Sequence, residues 1–284
     1  MGDVRAAAAN LPAELGVTLD PFPDSVPSGS FGAVLFGTHN ASGRRVAVKL
    51  QRCVARGPYE AEVIRHLMTS AGDVPPPMIP AIIGEATAGN WHYLVMDGDT
   101  KENGWKEWMD AILDAGSNVG GPNVFREDYV AERFTQVLLG LLFMHAAGVA
   151  HLDVKLENIM LVAPNHPSFS WGACVIDFGL SKFVDPNRPA NRAAGSEAYV
   201  APELHRGEYD PLLADVFALG VTLFSAIAGF FPFESTNLRD RRRTQFVRAV
   251  QALQADPQAS LTRTIFSWYG RTVPHEATAG PLIA

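Results

Sequence analysis

The chain has 284 residues, 47% hydrophobic and 19% charged, which suffices for one large domain or two small lobes with cores and is too apolar for a disordered chain. A net charge of −7 gives no support to nucleic-acid binding, which usually needs a basic surface. Two cysteines, Cys53 and Cys174, are too few for a disulfide framework, so a reducing compartment, cytoplasmic or nuclear, is expected.

Residues 1–20 read as an N-terminal extension. Their alanine run, Ala6 to Ala9, lacks the long apolar core of a secretory leader, and Ala6 stands where a myristoylation signal wants Ser or Thr. Short Val- and Phe-rich runs at 26–36 and 44–50 then predict a hairpin, with Gly37–Gly43 as its loop. Helical spacing puts Val63, Ile64, Leu67 and Met68 on one face of a helix over 58–69. The run Pro75-Pro76-Pro77 forces an extended connector, and strands are expected at Ile79–Ile83 and His92–Met96.

After Gly98 the character changes. A helix is expected over Lys106–Ala115, a Gly- and Pro-rich loop over Gly116–Asn123, and a long amphipathic helix over Phe125–Ala147. Its recurring apolar positions are Val130, Phe134, Val137, Leu138, Leu141 and Leu142. Short strands follow at Ile159–Val162 and Ala173–Ile176. From Val216 to Phe233 there are 18 residues without a charge, the lower limit for a membrane span. Asp215 and Glu234 bracket this run, and Gly229 and Pro232 break its end, so a buried core helix is expected, not a span. Further helices are expected at Arg239–Ala255 and Ile265–Tyr269, with Arg241–Arg243 on a solvated face. The pattern is α+β, strand-rich first and helix-rich afterwards.

Several residues carry chemistry. Gly29-Ser30-Phe31-Gly32 sets two glycines three apart on a hairpin, where bare backbone can approach a polyphosphate, and Val34 would cover a flat base. Lys49 closes the apolar strand Val46-Ala47-Val48 and should aim its ammonium into a cleft. Glu60, eleven residues on, is the expected partner, with Glu62 as rival. His151-Leu152-Asp153-Val154-Lys155-Leu156-Glu157-Asn158 brings together a carboxylate, an ammonium and an amide at fixed spacing. Asp177, in Asp177-Phe178-Gly179, ends an apolar strand, where a carboxylate needs a cation. Gly195-Ser196-x-x-Tyr199-Val200-Ala201-Pro202-Glu203 and Asp215-Val216-x-x-Leu219-Gly220 complete the set.

These six motifs, in this order, resemble eukaryotic protein kinases over about residues 22–235. The resemblance implies a two-lobed fold, with a small β-rich lobe at 21–98, a larger helical lobe at 99–275 and a tail at 276–284. It implies ATP and magnesium as cofactors and a protein substrate with a Ser or Thr acceptor, without nucleic acid or a membrane span. Lys155 and the Gly-Ser-x-x-Tyr pattern resemble the serine/threonine type. Leu180-Ser181-Lys182 and Lys155-Leu156-Glu157-Asn158 resemble the calmodulin-dependent-kinase branch. Asp153, Lys155, Asn158, Lys49 and Glu60 are the implied catalytic set, with Asn158 and Asp177 on the metal. The nucleotide would meet Gly29, Ser30, Gly32, Val34, Ala47, Lys49 and Asp177. Met96 would lie behind the adenine, the Asp97 and Asp99 backbone beside it, and Met160 below. Ser196 would bond near Asp153 and Lys155, and Glu203 would pair with a distant arginine, Arg271 by its distance along the chain.

Four departures stand out. Pro27 replaces the first glycine of the loop. Leu152 replaces the arginine that precedes the catalytic aspartate in many kinases. Leu180 to Val200 offers only Ser181 and Ser196 as Ser/Thr acceptors, so activity without phosphorylation of this segment is expected. The stretch after Phe233 is short for the family. The alternative expectation is a pseudokinase scaffold; a small-molecule kinase fits Ala201-Pro202-Glu203 less well.

Overall fold

The computed structural model describes residues 2–23, 28–29, 32–53, 59–73, 76–100, 103–117, 127–164, 166, 169, 171–185, 190, 195–205, 207–233, 244 and 248. Pro27, Ser30, Phe31, Glu234 and the sequence expectations at Arg239–Ala255, Ile265–Tyr269, Arg271 and the tail lie outside these residues. The chain forms two compact units: Met1–Glu107 with Gln136–His151 and Ile159–Phe183, and Trp108–Thr135 with Leu152–Asn158 and Val184–Ala284. These units interleave along the chain, whereas the expected division near residue 98 follows sequence character.

The first unit is built on an antiparallel sheet. Its strands are β1 (Val17–Leu19), β2 (Ser28–Gly29), β3 (Gly32–His39), β4 (Arg45–Arg52), β5 (Ile82–Ala88) and β6 (Trp91–Asp97), ordered β1-β3-β4-β6-β5 with β2 on β3. Register decides what each face carries. Leu35, Val48 and Val95 align across three strands, as do Ala33, Leu50 and Tyr93. The N-terminal helix α1 (Gly2–Ala9) packs on this face, with Ala7 buried beside Leu15, Val46 and Tyr93. The Tyr93 hydroxyl donates to Ala7 O at 3.0 Å. Because side chains alternate along a strand, the opposite face receives Val34, Lys49 and Leu94 in one row and Phe36, Ala47 and Met96 in the next.

The expected hairpin loop is shorter than the sequence suggested. Gly37 is inside β3, opposite Val46. Its lack of a side chain serves close approach, because a Cβ there would lie 2.5 Å from Thr18 O of β1. The strand expected at Ile79–Ile83 begins at Ile82 and runs to Ala88. Helix α2 (Tyr59–Ala71) buries Val63, Ile64 and Leu67 as its spacing requires.

Three small strands extend this unit: β7 (Trp105–Glu107), β9 (Ile159–Val162) and β10 (Ala173–Val175), ordered β10-β9-β7. The helix expected from Lys106 therefore starts late, as α3 (Trp108–Ser117). Long-range pairing of Trp105 with Val162 outweighs local helix propensity, and Trp105 buries its ring 5.2 Å from Phe169. A ribbon of β8 (Val149–Ala150) and β11 (Lys182–Phe183) completes the unit's strands.

Helix α4 (Glu127–Ala146) has its first nine residues in the second unit and the rest in the first. Val130, Val137, Leu141 and Met144 form its buried stripe, whereas Leu138 and Leu142 are exposed. The latter pair lies one residue, roughly 100°, off that stripe, so the apolar face is wider than the buried one.

In the second unit, α5 (Pro211–Ala228) starts cleanly. Asp210 caps it by accepting from Leu212 N at 2.8 Å, Pro211 occupies the first turn, and Gly229 ends it in a left-handed conformation. Among the described residues this one helix is long and apolar enough to cross a membrane, with mean hydropathy 1.9, and 56% of it is buried inside the protein. It begins five residues earlier than the uncharged run and so includes Asp215, which is completely buried.

Candidate active site

The first constellation belongs to the first unit. Lys49 projects from β4 on the face shared with Val34, Ala47 and Met96, and its Nζ lies 2.7 Å from Glu60 Oε2 and 2.7 Å from Asp177 Oδ1. Glu60 is 3% exposed, while Glu62 points to solvent. The carboxylate of Glu60 also accepts from Gln51 Nε2 at 2.8 Å and from Phe178 N at 3.2 Å. Burial works against the Lys49 ammonium, but the charges of Glu60 and Asp177 outweigh it and hold its pKa above the ordinary lysine value. At Asp177 burial favours the neutral acid, yet Lys49 prevails and holds the carboxyl below its ordinary range.

Asp177 has φ 64° and caps the 3-10 turn Phe178–Leu180 by accepting from Gly179 N. Phe178 is fully buried with its ring 5.2 Å from that of His151. Gly29 and Gly32 face each other across the β2–β3 pair. Gly32 has φ 148°, and a Cβ there would lie 2.3 Å from Leu50 O, so no other residue fits. Ser30 lies outside the described residues. Met160 sits on β9 opposite Cys174, beside the cluster of Trp105, Val162 and Phe169. Cys174 is fully buried, which pushes its thiol well up and makes it a core residue.

Asp97 and Asp99 turn their side chains to two consecutive arginines. Asp97 pairs with Arg44, and Asp99 Oδ1 accepts from Arg45 Nε at 2.9 Å. Burial raises the Asp97 carboxyl despite Arg44.

The second constellation belongs to the second unit. Lys155 Nζ lies 2.8 Å from Asp153 Oδ2 and 2.8 Å from the Ser196 hydroxyl. That hydroxyl in turn donates to Asp153 Oδ1 at 3.1 Å. Asn158 Nδ2 donates to Asp153 O and Oδ2, both at 2.9 Å. Asp153 is thus met by an ammonium, a hydroxyl and an amide, as a carboxylate that is 7% exposed must be.

Two residues hold this loop that sequence reasoning left without a role. Leu152 adopts φ 63°, and its N–H is taken by the buried Asp215 at 2.7 Å. The signal was legible: a lone carboxylate beside a long uncharged run must find a donor. Tyr199 accepts from Leu156 N at 3.3 Å and donates to Glu157 at 3.0 Å. Burial, reinforced by Glu157, raises its phenol far above the ordinary value. Gly195 has φ 103°, and a Cβ there would lie 2.9 Å from Leu152 O. The Leu152 side chain is 6% exposed and borders a small cavity with Val200, Ala201, Leu204, Ala214 and Ala218.

Among the described residues, no group of three or more His, Cys, Asp or Glu could hold a metal ion. The carboxylate oxygens of Asp177 in the first unit and the amide oxygen of Asn158 in the second are each hard donors of the kind magnesium accepts alongside phosphate and water.

The α+β chain carries a buried Lys–Glu–Asp cluster in its first unit and an Asp–Lys–Asn loop in its second. The protein kinase domain family matches residues 24–270, and the chain belongs to that family, with its two-lobed α+β fold. It is similar to Probable serine/threonine-protein kinase 2 of Plasmodium falciparum (isolate K1 / Thailand), 32% identical over 220 residues, covering 76% of this chain and 39% of that protein. It is 30% identical to serine/threonine-protein kinase SAPK4 of Oryza sativa subsp. japonica over 230 residues, covering 80% and 59%. With serine/threonine-protein kinase SRK2D of Arabidopsis thaliana it shares 31% identity over 237 residues, covering 78% and 57%. The chain spans less than two thirds of the length of these relatives.

Proposed function

We propose that this chain is an ATP- and magnesium-dependent protein kinase that phosphorylates serine or threonine hydroxyls of protein substrates, in a cytoplasmic or nuclear setting. One observation carries the reading: Asp153 accepts a hydrogen bond from the Ser196 hydroxyl at 3.1 Å while Lys155 stands 2.8 Å from both. This is the arrangement an acceptor hydroxyl needs, with a carboxylate to orient its proton and an ammonium beside the oxygen. Asp153 would hold a substrate hydroxyl as it holds Ser196. Lys155 would offset charge on the transferred phosphoryl group. Lys49, fixed by Glu60, would grip the phosphates, under the Gly29–Gly32 backbone and Ser30. Val34 and Ala47 would cover the adenine, Met96 and Met160 would bound its pocket, and the Asp97 and Asp99 backbone would meet its edge. Asn158 and Asp177 would hold magnesium, which when bound neutralises phosphate charge. The relatives' names support the Ser/Thr preference.

The test is transfer of labelled γ-phosphate from ATP to a serine- and threonine-containing peptide library by the purified chain. Transfer abolished by Asp153→Asn supports the reading; nucleotide binding without transfer would make the chain a scaffold.

Leu152 supports independence from activation-segment phosphorylation. An arginine there could meet a phosphate; this leucine is buried against apolar side chains. Phosphatase treatment is expected to leave activity unchanged, and loss traced to Ser181 or Ser196 would contradict this.

A further inference from the structure

We infer that Arg45 and Asp20 are positioning residues for the nucleotide, acting through the carboxylate of Asp99. The inference deepens the kinase reading and rests on it, since that reading places the Asp99 backbone against the adenine.

Arg45 opens β4. Continuing the antiparallel count one step past Val46 and Asp97 sets it beside Gly98, between the two aspartates. Its Nε donates to Asp99 Oδ1 at 2.9 Å. The other end of the same guanidinium grips Asp20 with two hydrogen bonds, 2.8 Å from Nη1 and 2.5 Å from Nη2, and Nη1 also reaches Thr38 Oγ1 at 3.3 Å. A planar fork holding a carboxylate at two points fixes direction as well as distance. Asp20 is itself anchored, because its N–H donates to Phe36 O at 2.9 Å and so prolongs the pairing of β1 with β3. The Arg45 hydrogen bonds hold its carboxyl below the ordinary range. A continuous bridge therefore runs from the outermost strand to the segment that follows β6.

At the receiving end the Asp99 side chain is 1% exposed. Besides Arg45, Oδ1 accepts from Thr100 N at 2.8 Å and Asn103 Nδ2 at 3.0 Å, and Oδ2 lies 3.6 Å from His166 Nε2. A carboxylate turned inward onto these groups sets the dihedrals of its own residue, and hence the aim of the Asp99 N–H and C=O. Contact with a purine edge through the backbone depends on that aim alone. Asp97 has independent support, since its N–H donates to Ala81 O at 3.1 Å and its Oδ2 accepts from Ala81 N at 3.3 Å. Past Gly98, among the described residues, Asp99 is joined back to the sheet by its bond to Arg45. The Asp20–Arg45 pair is open enough to water, at 38% and 22%, that it adds little to overall stability, which leaves geometry as its main effect.

The experiment uses the full chain and three variants, Arg45→Leu, Arg45→Lys and Asp20→Asn. Binding of Mg-ATP and Mg-GTP is measured by calorimetry, beside kcat, the KM values for ATP and peptide, and Tm. Arg45→Leu is expected to weaken ATP binding about tenfold, the worth of one charged hydrogen bond, and to narrow the ATP-over-GTP preference. Its kcat at saturating ATP and its peptide KM should stay close to wild type. Asp20→Asn should weaken ATP binding about threefold with no change in peptide KM. Arg45→Lys, which keeps the charge but loses the fork, should fall between them. If Arg45→Leu does not fold, Asp20→Asn at its half-exposed position decides the matter. An unchanged nucleotide preference in the variants, or losses of kcat and peptide affinity in parallel with Tm, overturns the inference and leaves the kinase reading intact. A wild-type chain that binds no nucleotide overturns both.

Discussion

The two constellations are held together by different physics. Around Lys49, three buried or half-buried charges balance one another: an ammonium between two carboxylates, with Gln51 and the Phe178 N–H filling the remaining acceptor sites. Around Asp153, most of the restraint comes from a hydroxyl, an amide, a phenol and a backbone N–H in a left-handed turn, with one ammonium among them. The first should break when charge balance is lost. The second should break when a single hydrogen bond loses its direction.

The largest effect expected is on the second constellation and on rate alone. Asp153→Asn should lower turnover by roughly 10²–10⁴-fold, the usual worth of a positioned base, with little change in Tm. Unaltered turnover would remove Asp153 from its role.

Lys49→Met tests charge balance. Leaving Glu60 and Asp177 facing each other should cost about 3–5 kcal/mol in urea unfolding at neutral pH, as breaking a buried pair usually does. The pH dependence sharpens this. Because Asp177 has a lowered pKa in the folded chain, its contribution is fully present above the unfolded value and is lost as pH falls through the folded one. Lys49 has a raised pKa, so its contribution is present below the unfolded value and is lost as pH rises through the folded one. Both limbs should flatten in Lys49→Met; limbs identical to wild type would show that the cluster is not balanced by charge.

Asp215→Ala separates direction from charge. It strips the Leu152 N–H of its buried acceptor, at a cost of about 1–3 kcal/mol. Turnover should fall, while peptide binding is spared if only the loop tilts. Asp215→Asn, which keeps an acceptor oxygen, should recover part of the loss.

The smallest effect is expected at Leu142 of α4: Leu142→Ala should lie within about 0.5 kcal/mol of wild type, whereas its buried neighbour Leu141→Ala should cost about 2–5 kcal/mol. Equal costs would mean that the buried stripe of α4 is drawn wrongly.

Much of this was legible in the chain. Asp153, Lys155 and Asn158 lie within five positions of one another, so their spacing alone predicts their meeting. The pattern of Val63, Ile64 and Leu67, inward behind Glu60, makes Glu60 the expected partner over Glu62, and the structure has Glu60 at Lys49. Other expectations erred where a distant segment decided. Local pattern puts Gly37 in a loop and Lys106–Glu107 in a helix, whereas each takes its form from a strand far along the chain, β1 and β9.

Sequence alone determined the identity and order of the reacting groups, since hydrophobic periodicity and motif spacing act over a few residues. It also set the caps of α5, which depend on Asp210, Pro211 and Gly229 next to it. Only the tertiary structure decided that α1 packs on one sheet face, that Asp215 holds Leu152, and that Arg45 joins Asp20 to Asp99. Those contacts join residues 25 to 63 positions apart or more, where the partner is chosen by register and burial, and no local pattern records it.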